Sequence, residues 1–357
     1  MDKKMQDWIV KGKEVFVGLD DAKKTWRVCV RSEKMAVHET SMPANYDVLR
    51  AYLRRRYPEC TIKVMYEAGF RGFNLYDRLS EDGIECVVLP PHLMLEEKVN
   101  RVKTDRRDAW RLAKMLEGEE HLRGCHVPDK ERREDRQACR TLNAVEKEIK
   151  STRNRIRKLL QYHGIETAIP EEKAWGKSEF RSVEELSVGV VLRKPIKVLL
   201  SLLENLWTYQ IELRKELLAL SKNPRYQRAF AIARGLPGIG WLTAIRLVLE
   251  LGEDFTRFST GKSLANFLGL TGGEHSSGET EHKGRITGQG PTFVRSWMIE
   301  SAWVSIRKDP VLREKFEKVR RNSGSKKKAI VAVARKLAVR LYACMVMNQE
   351  YQIGLVA

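Results

Sequence analysis

The chain has 357 residues, of which 66 are lysine or arginine and 47 are aspartate or glutamate, so its formal net charge is +19. The length suffices for two or three domains with proper cores. The basic residues are spread along the whole chain, and this excess favours a polyanionic partner, nucleic acid. No apolar stretch is long enough to span a bilayer, and no signal-peptide core follows the first residues. We therefore expect a soluble, cytoplasmic protein without a membrane partner.

The first third of the chain alternates strand and helix patterns. Apolar runs predict strands at 14–20, 25–32, 34–39, 61–67 and 84–89, and helical patterns occupy 46–57, 73–82 and 104–117. Thr104 is positioned to cap the last of these helices. The order βββαβαβα is that of the ribonuclease-H-like fold.

Acidic residues stand at the ends of these elements. Asp20 closes the first strand, Glu67 closes the fourth, and Asp105 and Asp108 lie three residues apart, on one face of the last helix. Carboxylate oxygens suit Mg²⁺, with Mn²⁺ as a substitute, and two such ions can activate the attacking and leaving oxygens of phosphoryl transfer. The sequence therefore predicts a two-metal site. Asp21 follows Asp20 directly, but strand alternation points the two to opposite faces, and we expect Asp20 to be the ligand.

From about residue 129 the pattern becomes helical. Apolar residues recur at alternating spacings of three and four, which is typical of coiled-coil seams. The first seam comprises Leu142, Val145, Ile149, Thr152, Ile156 and Leu159, and the second Leu199, Leu202, Leu206, Tyr209, Leu213, Leu217 and Leu220. The two helices are expected to form an antiparallel hairpin or to pair with another subunit. Their basic faces are either solvated or in contact with nucleic acid.

The last part of the chain holds a helix-hairpin-helix signature, Leu236-Pro237-Gly238-Ile239-Gly240. Gly238 and Gly240 would then help the hairpin amides to hold a phosphate, and the alternative is a tight structural turn. A polar, glycine-rich segment at 269–290 is interpreted as a long functional loop. Arg285 and Arg295 are candidate phosphate clamps, or else solvated or salt-bridged side chains. Helices are predicted at 292–306 and 326–347.

These motifs resemble those of the DEDD transposases of bacterial mobile elements, the insertion-sequence 110 family. The N-terminal motifs are Gly18-Leu19-Asp20, Tyr66-Glu67-Ala68-Gly69 and Arg101 to Ala109, and the C-terminal ones are Leu236 to Gly240, Gly269-Leu270, Ser276-Ser277-Gly278 and Ile286-Thr287 with Gly290. Gly290 is followed by Pro291 where the family more usually has asparagine. The similarity covers most of the chain in the same order.

The resemblance implies a DNA transposase or recombinase that is guided by a structured RNA encoded in its own element. It implies a serine nucleophile, for which Ser277 is favoured over Ser276, together with the four carboxylates as metal ligands. The implied domains are a ribonuclease-H-like (RuvC-like) domain at 1–125, a helical coiled-coil region at 126–224 and a mostly helical transposase domain at 225–357. A homo-oligomer, dimer or tetramer, is expected, because recombination requires several strands to be cut and exchanged.

Two other functions fit the sequence less well. A metal-dependent junction nuclease would hydrolyse DNA with the carboxylates alone and would not need Ser277. A degenerate protein would bind RNA or DNA without chemistry, and the presence of all four acidic residues and the serine disfavours it.

Overall fold

A computed structural model describes residues 12–94, 105–118, 124–165, 175–277 and 280–354, with the backbone alone at residues 92, 105–106 and 274–283. The chain divides into two compact units, Met1–Val127 and Pro128–Ala357. The finer division of the second unit near residue 224 stays a prediction.

The first unit is built on a five-stranded mixed sheet. Its strands are β1 Glu14–Asp20, β2 Thr25–Ser32, β3 Met35–Pro43, β4 Thr61–Glu67 and β5 Glu85–Leu89. Their order is β3-β2-β1-β4-β5, with β1, β2 and β3 antiparallel and β1, β4 and β5 parallel. The predicted strands are confirmed. Only β3 departs from its prediction, because it continues past Glu39 and pairs as far as Pro43 with Thr25.

Strand alternation gives this sheet two different apolar faces. On one face, Val15, Val17 and Leu19 pack with helices α1 Tyr46–Arg56 and α2 Asn74–Glu81. On the other face, Phe16 and Met65 pack with helix α3, Asp105–Glu117. A 3₁₀ turn, Pro91–Leu93, follows β5. The capping role predicted for Thr104 lies outside the described residues.

The second unit is mostly helical. Its helices are α4 Lys130–Tyr162, α5 Lys177–Glu184, α6 Val190–Leu220, α7 Pro224–Gly235, α8 Trp241–Leu251, α9 Gly261–Phe267, α10 Thr292–Lys308, α11 Pro310–Ser323 and α12 Lys326–Val346. A two-stranded antiparallel hairpin, β6 Gly272–Ser277 and β7 Thr280–Ile286, stands between α9 and α10. Helices α7 to α12 share one apolar core. In the part of the chain that the structure describes, no helix is both long and apolar enough to cross a membrane.

The two longest helices, α4 and α6, pack antiparallel along each other. Arg214 near the end of α6 reaches Glu146 in the first half of α4, at 3.3 Å. The guanidinium of Arg153, further along α4, lies 5.7 Å from the ring centroid of Trp207, further back on α6. Of the two pairings expected from sequence, the intrachain hairpin is therefore formed. Its supercoiling as a coiled coil stays a prediction.

The phase of the second seam was partly wrong. The residues of α6 that are buried are Ile196, Leu200, Leu203, Leu206 and Leu217. By contrast, Tyr209 is 53% exposed and Leu202 is 36% exposed. Helix α6 has apolar residues on more than one face, so periodicity alone does not decide which stripe meets α4.

Candidate active site

Two of the predicted carboxylates end neighbouring parallel strands. Leu19 of β1 is paired with Tyr66 of β4, so Asp20 and Glu67, the next residue of each strand, stand side by side. Asp20 is two residues beyond Gly18, and Glu67 is two beyond Met65, which packs with α3. Because the side-chain period of a strand is two, both carboxylates lie on the α3 face of the sheet. Both are half-buried.

Gly18 brings helix α3 directly onto this end of β1. A Cβ built at Gly18 would overlap the carbonyl oxygen of Ala109 and the amide nitrogen of Ala113. The helix backbone therefore lies against the strand, with Ala109 and Ala113 buried beside Cys29. Such an approach is open only to a residue without a side chain.

This docking also sets the position of the third carboxylate. Asp108 immediately precedes Ala109 and is only 8% exposed. Arg111, one turn further along the helix, is 3.9 Å away, which is a long ion pair. Asp105 is the first residue of α3, and the structure describes its backbone only. Acidic positions from β1, β4 and the first turn of α3 thus belong to one face at one end of the sheet.

The donor set is chemically suited to a hard divalent cation, because all the ligand atoms are carboxylate oxygens. Among the described side chains, which do not include that of Asp105, no three His, Cys, Asp or Glu residues are close enough together to enclose an ion. Mg²⁺ commonly keeps several waters and takes one or two carboxylates together with substrate phosphates. An open set of carboxylates is therefore compatible with this ion.

Asp21 belongs to a different environment. Its carboxylate accepts a hydrogen bond from Trp26 Nε1 at 2.6 Å and pairs with Arg71 Nε at 2.8 Å. Trp26 is buried in the core on the sheet face opposite α3. Burial raises the pKa of Asp21, and the contacts with Trp26 and Arg71 offset this only in part. These contacts make Asp21 a structural residue.

We expect the matched variants Asp20→Ala and Asp21→Ala to lose different properties: the first loses DNA cleavage and the second loses stability. Asp21→Ala leaves the buried Trp26 N–H without its acceptor, which costs about 1–3 kcal/mol of unfolding free energy, and metal-dependent DNA cleavage is retained. Asp20→Ala abolishes cleavage while the chain remains folded. If Asp21→Ala also abolished cleavage while remaining folded, the assignment of the ligand to Asp20 would be wrong.

Arg27 adds a cation that sequence reasoning did not identify. It is the cross-strand partner of Asp20 on β2, so it shares the face of the carboxylates, and it is exposed. It donates to the hydroxyl of Ser41. With Cys29, Ser41 and Ala109 it lines a cavity of about 320 Å³ beside α3. Arg27 could have been identified only from the pairing of β1 with β2, because this pairing is what brings it next to Asp20.

The predicted serine loop is in part a β-hairpin. Ser277 is the last residue of β6 and is paired with Thr280, and Ser276 is paired with Glu281. Residues 278 and 279 lie outside the described residues. The segment at 269–290 was interpreted as one long loop, and this part of it instead forms two paired strands.

The Pro-Gly-Ile-Gly motif forms the turn between α7 and α8. Gly238 has a φ of +83°, and a Cβ there would overlap the carbonyl oxygen of Ser301 on α10. Ser305 Oγ donates to the carbonyl oxygen of Pro237 at 2.6 Å. Gly238 therefore has a packing role, whereas Gly240 is exposed at the start of α8. Phosphate contact by this turn stays a prediction.

The two arginines that were candidate phosphate clamps differ in their surroundings. Arg285 is exposed on β7. Arg295 Nη1 donates to the carbonyl oxygens of Leu268, at 3.1 Å, and Gln289, at 3.0 Å. Arg295 thus ties together the segments that lead into and out of the β6–β7 hairpin. Phosphate binding by either residue stays a prediction.

Comparison with known proteins gives a consistent result. A family model described as "Transposase IS116/IS110/IS902 family" matches residues 231–317, and a transposase model for DEDD proteins of the IS110 type matches residues 17–164. A putative transposase of Sinorhizobium fredii is 29% identical over 82% of this chain and 72% of its own length. The transposase of insertion sequence element IS1533 of Leptospira borgpetersenii is 24% identical over 71% of this chain and 74% of its own. A pilin gene-inverting protein of Moraxella bovis is 29% identical over 36% of this chain and 40% of its own.

The class defined by the sheet, its acidic end and these matches is that of the DEDD transposases. The protein belongs to the IS110 family of these enzymes. It is therefore a transposase that acts on DNA. Membership of this family implies that the enzyme uses a divalent metal ion.

Proposed function

We propose that this transposase cuts and rejoins the DNA strands of a mobile element through a serine nucleophile, Ser277. In this proposal the first unit has a ribonuclease-H-like fold, and Asp20, Glu67, Asp105 and Asp108 hold Mg²⁺. The observation that supports it most is the meeting of three elements at one end of the sheet. Gly18 admits the backbone of α3 there, beside the carboxylate ends of β1 and β4.

The chemistry is a pair of exchanges at phosphorus. Ser277 Oγ attacks a DNA phosphodiester, the Oγ–P bond forms, the P–O3′ bond breaks, and the leaving 3′ oxygen takes up a proton. The free 3′ hydroxyl of another strand then attacks the phosphoserine, and Ser277 regains its hydroxyl as it leaves. Since each step replaces one phosphate ester by another, rejoining needs no high-energy cofactor. A serine hydroxyl is a poor nucleophile at its free pKa, and bound divalent ions would supply the activation and stabilise the charge on the phosphate.

We further propose two partners. The first is a guide RNA encoded by the element, which the family resemblance implies and which the net charge of +19 would attract. The second is another copy of this chain, because one chain supplies one Ser277 and recombination exchanges several strands. A light-scattering mass of a monomer in the presence of nucleic acid would contradict the homo-oligomer.

The decisive experiment is a trapping assay. The protein is co-expressed with the flanking RNA of its element, mixed with labelled element-junction DNA and Mg²⁺, and run on a denaturing gel. We expect a labelled protein band that is lost with EDTA and in Ser277→Ala and Asp108→Asn. Ser276→Ala is the matched control, because it removes the same hydroxyl group from the neighbouring position, and we expect this variant to retain the band.

The alternative function is a junction nuclease that uses the carboxylates alone. It is favoured by one observation, namely that β1, β4 and α3 assemble the acidic face within the first unit, without Ser277. It predicts free cleaved DNA and no adduct, with Ser277→Ala as active as the parent chain.

A further inference from the structure

The second unit contains a cluster of arginines around one buried carboxylate, Glu250 of α8. Arg132, Arg136 and Arg140 follow one another at four-residue spacing on one face of α4, and Arg257 comes from the segment after α8. We call these four side chains the Glu250 arginine cluster. Arg140 lies on the basic face of the first predicted coiled-coil helix, and the other three were not identified from the sequence.

Glu250 is 3% exposed and accepts from two members of the cluster. Arg136 Nη2 donates to it at 2.8 Å and Arg140 Nε at 2.9 Å. Arg257 Nη2 reaches only the backbone carbonyl oxygen of Glu250, at 3.3 Å. The single carboxylate at the centre is therefore already shared by two guanidinium groups.

The remaining acidic neighbour does not balance the other two arginines. Arg132 Nη1 lies 3.3 Å from Glu253, but Glu253 is also paired with Arg225. Arg225 in turn pairs with Asp129 and Glu131. Five arginines, the four of the cluster and Arg225, thus face the four carboxylates of Glu250, Glu253, Asp129 and Glu131, so one positive charge is in excess.

Two donors inside the cluster show the same deficit of acceptors. Among the described residues, Arg132 Nη2 and Arg257 Nε are buried and have no hydrogen-bond partner. Arg132 itself is 6% exposed. Burial, reinforced by the charges of Arg132 and Arg136, lowers the pKa of Arg257. Buried polar groups are normally satisfied, and an unsatisfied one calls for a water, an ion or a ligand.

The cluster reaches solvent at Arg140, and Arg257 lies against two aromatic rings. Arg140 has a half-exposed side chain, 48% accessible. The guanidinium of Arg257 lies 4.4 Å from the ring centroid of Phe258 and 4.6 Å from that of Phe267. Phe267, which ends α9, is 37% exposed and precedes the β6–β7 hairpin by a few residues.

We propose that the Glu250 arginine cluster binds the sugar-phosphate backbone of a nucleic acid. A phosphodiester brings the negative charge and the acceptor oxygens that the cluster lacks, and guanidinium forks match it bidentately. Phe267 offers an adjoining face on which a base or sugar can pack. This inference rests on the proposed function only in that the ligand is the DNA or RNA of the same enzyme.

The test measures binding without chemistry. The full chain carrying Ser277→Ala is titrated in EDTA with a labelled DNA duplex and, separately, with a structured RNA of equal length, over a series of salt concentrations. We expect Arg140→Gln and Arg257→Gln each to reduce the slope of log K against log salt by about 0.9 on the duplex, one contact each. Arg257→Lys, which keeps the charge and loses the fork, should weaken binding with a smaller change of slope.

The matched control is Arg155→Gln, which removes the same charge from an exposed arginine of α4 that is paired with Glu148 at 3.0 Å. If Arg155→Gln leaves the slope unchanged, binding depends on a defined site. If the cluster variants lower the slope with only one of the two nucleic acids, that nucleic acid is the ligand of the site. Equal changes in all three glutamine variants, or none in Arg140→Gln and Arg257→Gln with either probe, would overturn the proposal. In Arg140→Gln the buried carboxylate of Glu250 keeps its ion pair with Arg136, and the side chain that is replaced is half-exposed, so a folding defect in Arg257→Gln alone does not decide the outcome. Since no strand is cut, failure here is distinct from failure of the serine mechanism.

Discussion

Replacing Gly18 by alanine is expected to abolish most of the activity, although it alters no ligand or nucleophile. The added Cβ overlaps backbone atoms of Ala109 and Ala113, and backbone cannot rotate away as a side chain can. Helix α3 must lift from β1 and take Asp108 with it. A misplacement of about 1 Å at a catalytic centre costs on the order of 100-fold in rate. Adduct yield in the trapping assay measures this loss.

The same substitution should also destabilise the fold. Overpacking costs about 1–3 kcal/mol, and a rigid helix backbone places Gly18→Ala at the upper end of that range. Gly118→Ala is the matched control, because Gly118 lies just past the end of α3 and an added Cβ there meets its nearest atom at 3.5 Å, an ordinary contact. Normal adduct yield in Gly18→Ala would show that α3 need not lie against the strand for catalysis.

The second large effect is expected at Asp309, between α10 and α11. Asp309 is fully buried, and Arg340 Nη1, itself on a buried side chain, donates to it at 3.0 Å. It also accepts from the hydroxyl of Tyr351 and from the amides of Val311 and Leu312. Asp309→Asn removes the negative charge that pairs with the buried Arg340, a change that costs about 3–5 kcal/mol. Urea unfolding of the full chain should show this as a lowered midpoint at an unchanged slope.

The contribution of Asp309 should also depend on pH. Burial favours the neutral form, but the Tyr351 hydrogen bond, the amides and Arg340 outweigh it, so the folded-state pKa lies below the ordinary value of 3.8. A lowered folded pKa means that the stabilisation is complete above 3.8 and is lost as the pH falls through the folded value. Asp254→Asn is the control, because the carboxylate of Asp254 lies on an exposed segment and accepts hydrogen bonds from the nearby amide and hydroxyl of Thr256. Equal midpoints for Asp309→Asn and Asp254→Asn would contradict the account.

The first unit was predictable because its signals are local. Most of its strands coincide with short, largely apolar runs, and the side-chain period of two fixes which of their residues share a face. Asp20 could therefore be preferred to Asp21 before any contact was known. Gly18, by contrast, was identified only as part of a family motif, because its packing role depends on a helix that lies some ninety positions further along the chain. Arg27 escaped notice for the same reason, since only strand pairing brings it beside Asp20.

The second unit was harder to predict, and the errors have a common cause. Helix α6 is apolar on several sides, so tertiary packing rather than periodicity selects Leu203 over Leu202. The polar, glycine-rich segment at 269–290 was interpreted as a long loop, yet backbone pairing turns part of it into β6 and β7. The Glu250 arginine cluster brings together residues more than a hundred positions apart, so the spacing of residues along the sequence does not predict it.

The contact at Gly18 bears on how copies of such an element can be judged from their sequences. A transposase gene is duplicated with its element, and duplicates accumulate substitutions. A duplicate would be judged functional from its sequence if it keeps the residues to which we assign catalytic roles, Asp20, Glu67, Asp105, Asp108 and Ser277. Every replacement of Gly18 adds at least a Cβ, and the strand has no room for one beneath α3. We therefore expect a duplicate in which Gly18 is replaced to be inactive even when all of its acidic residues and its serine are intact.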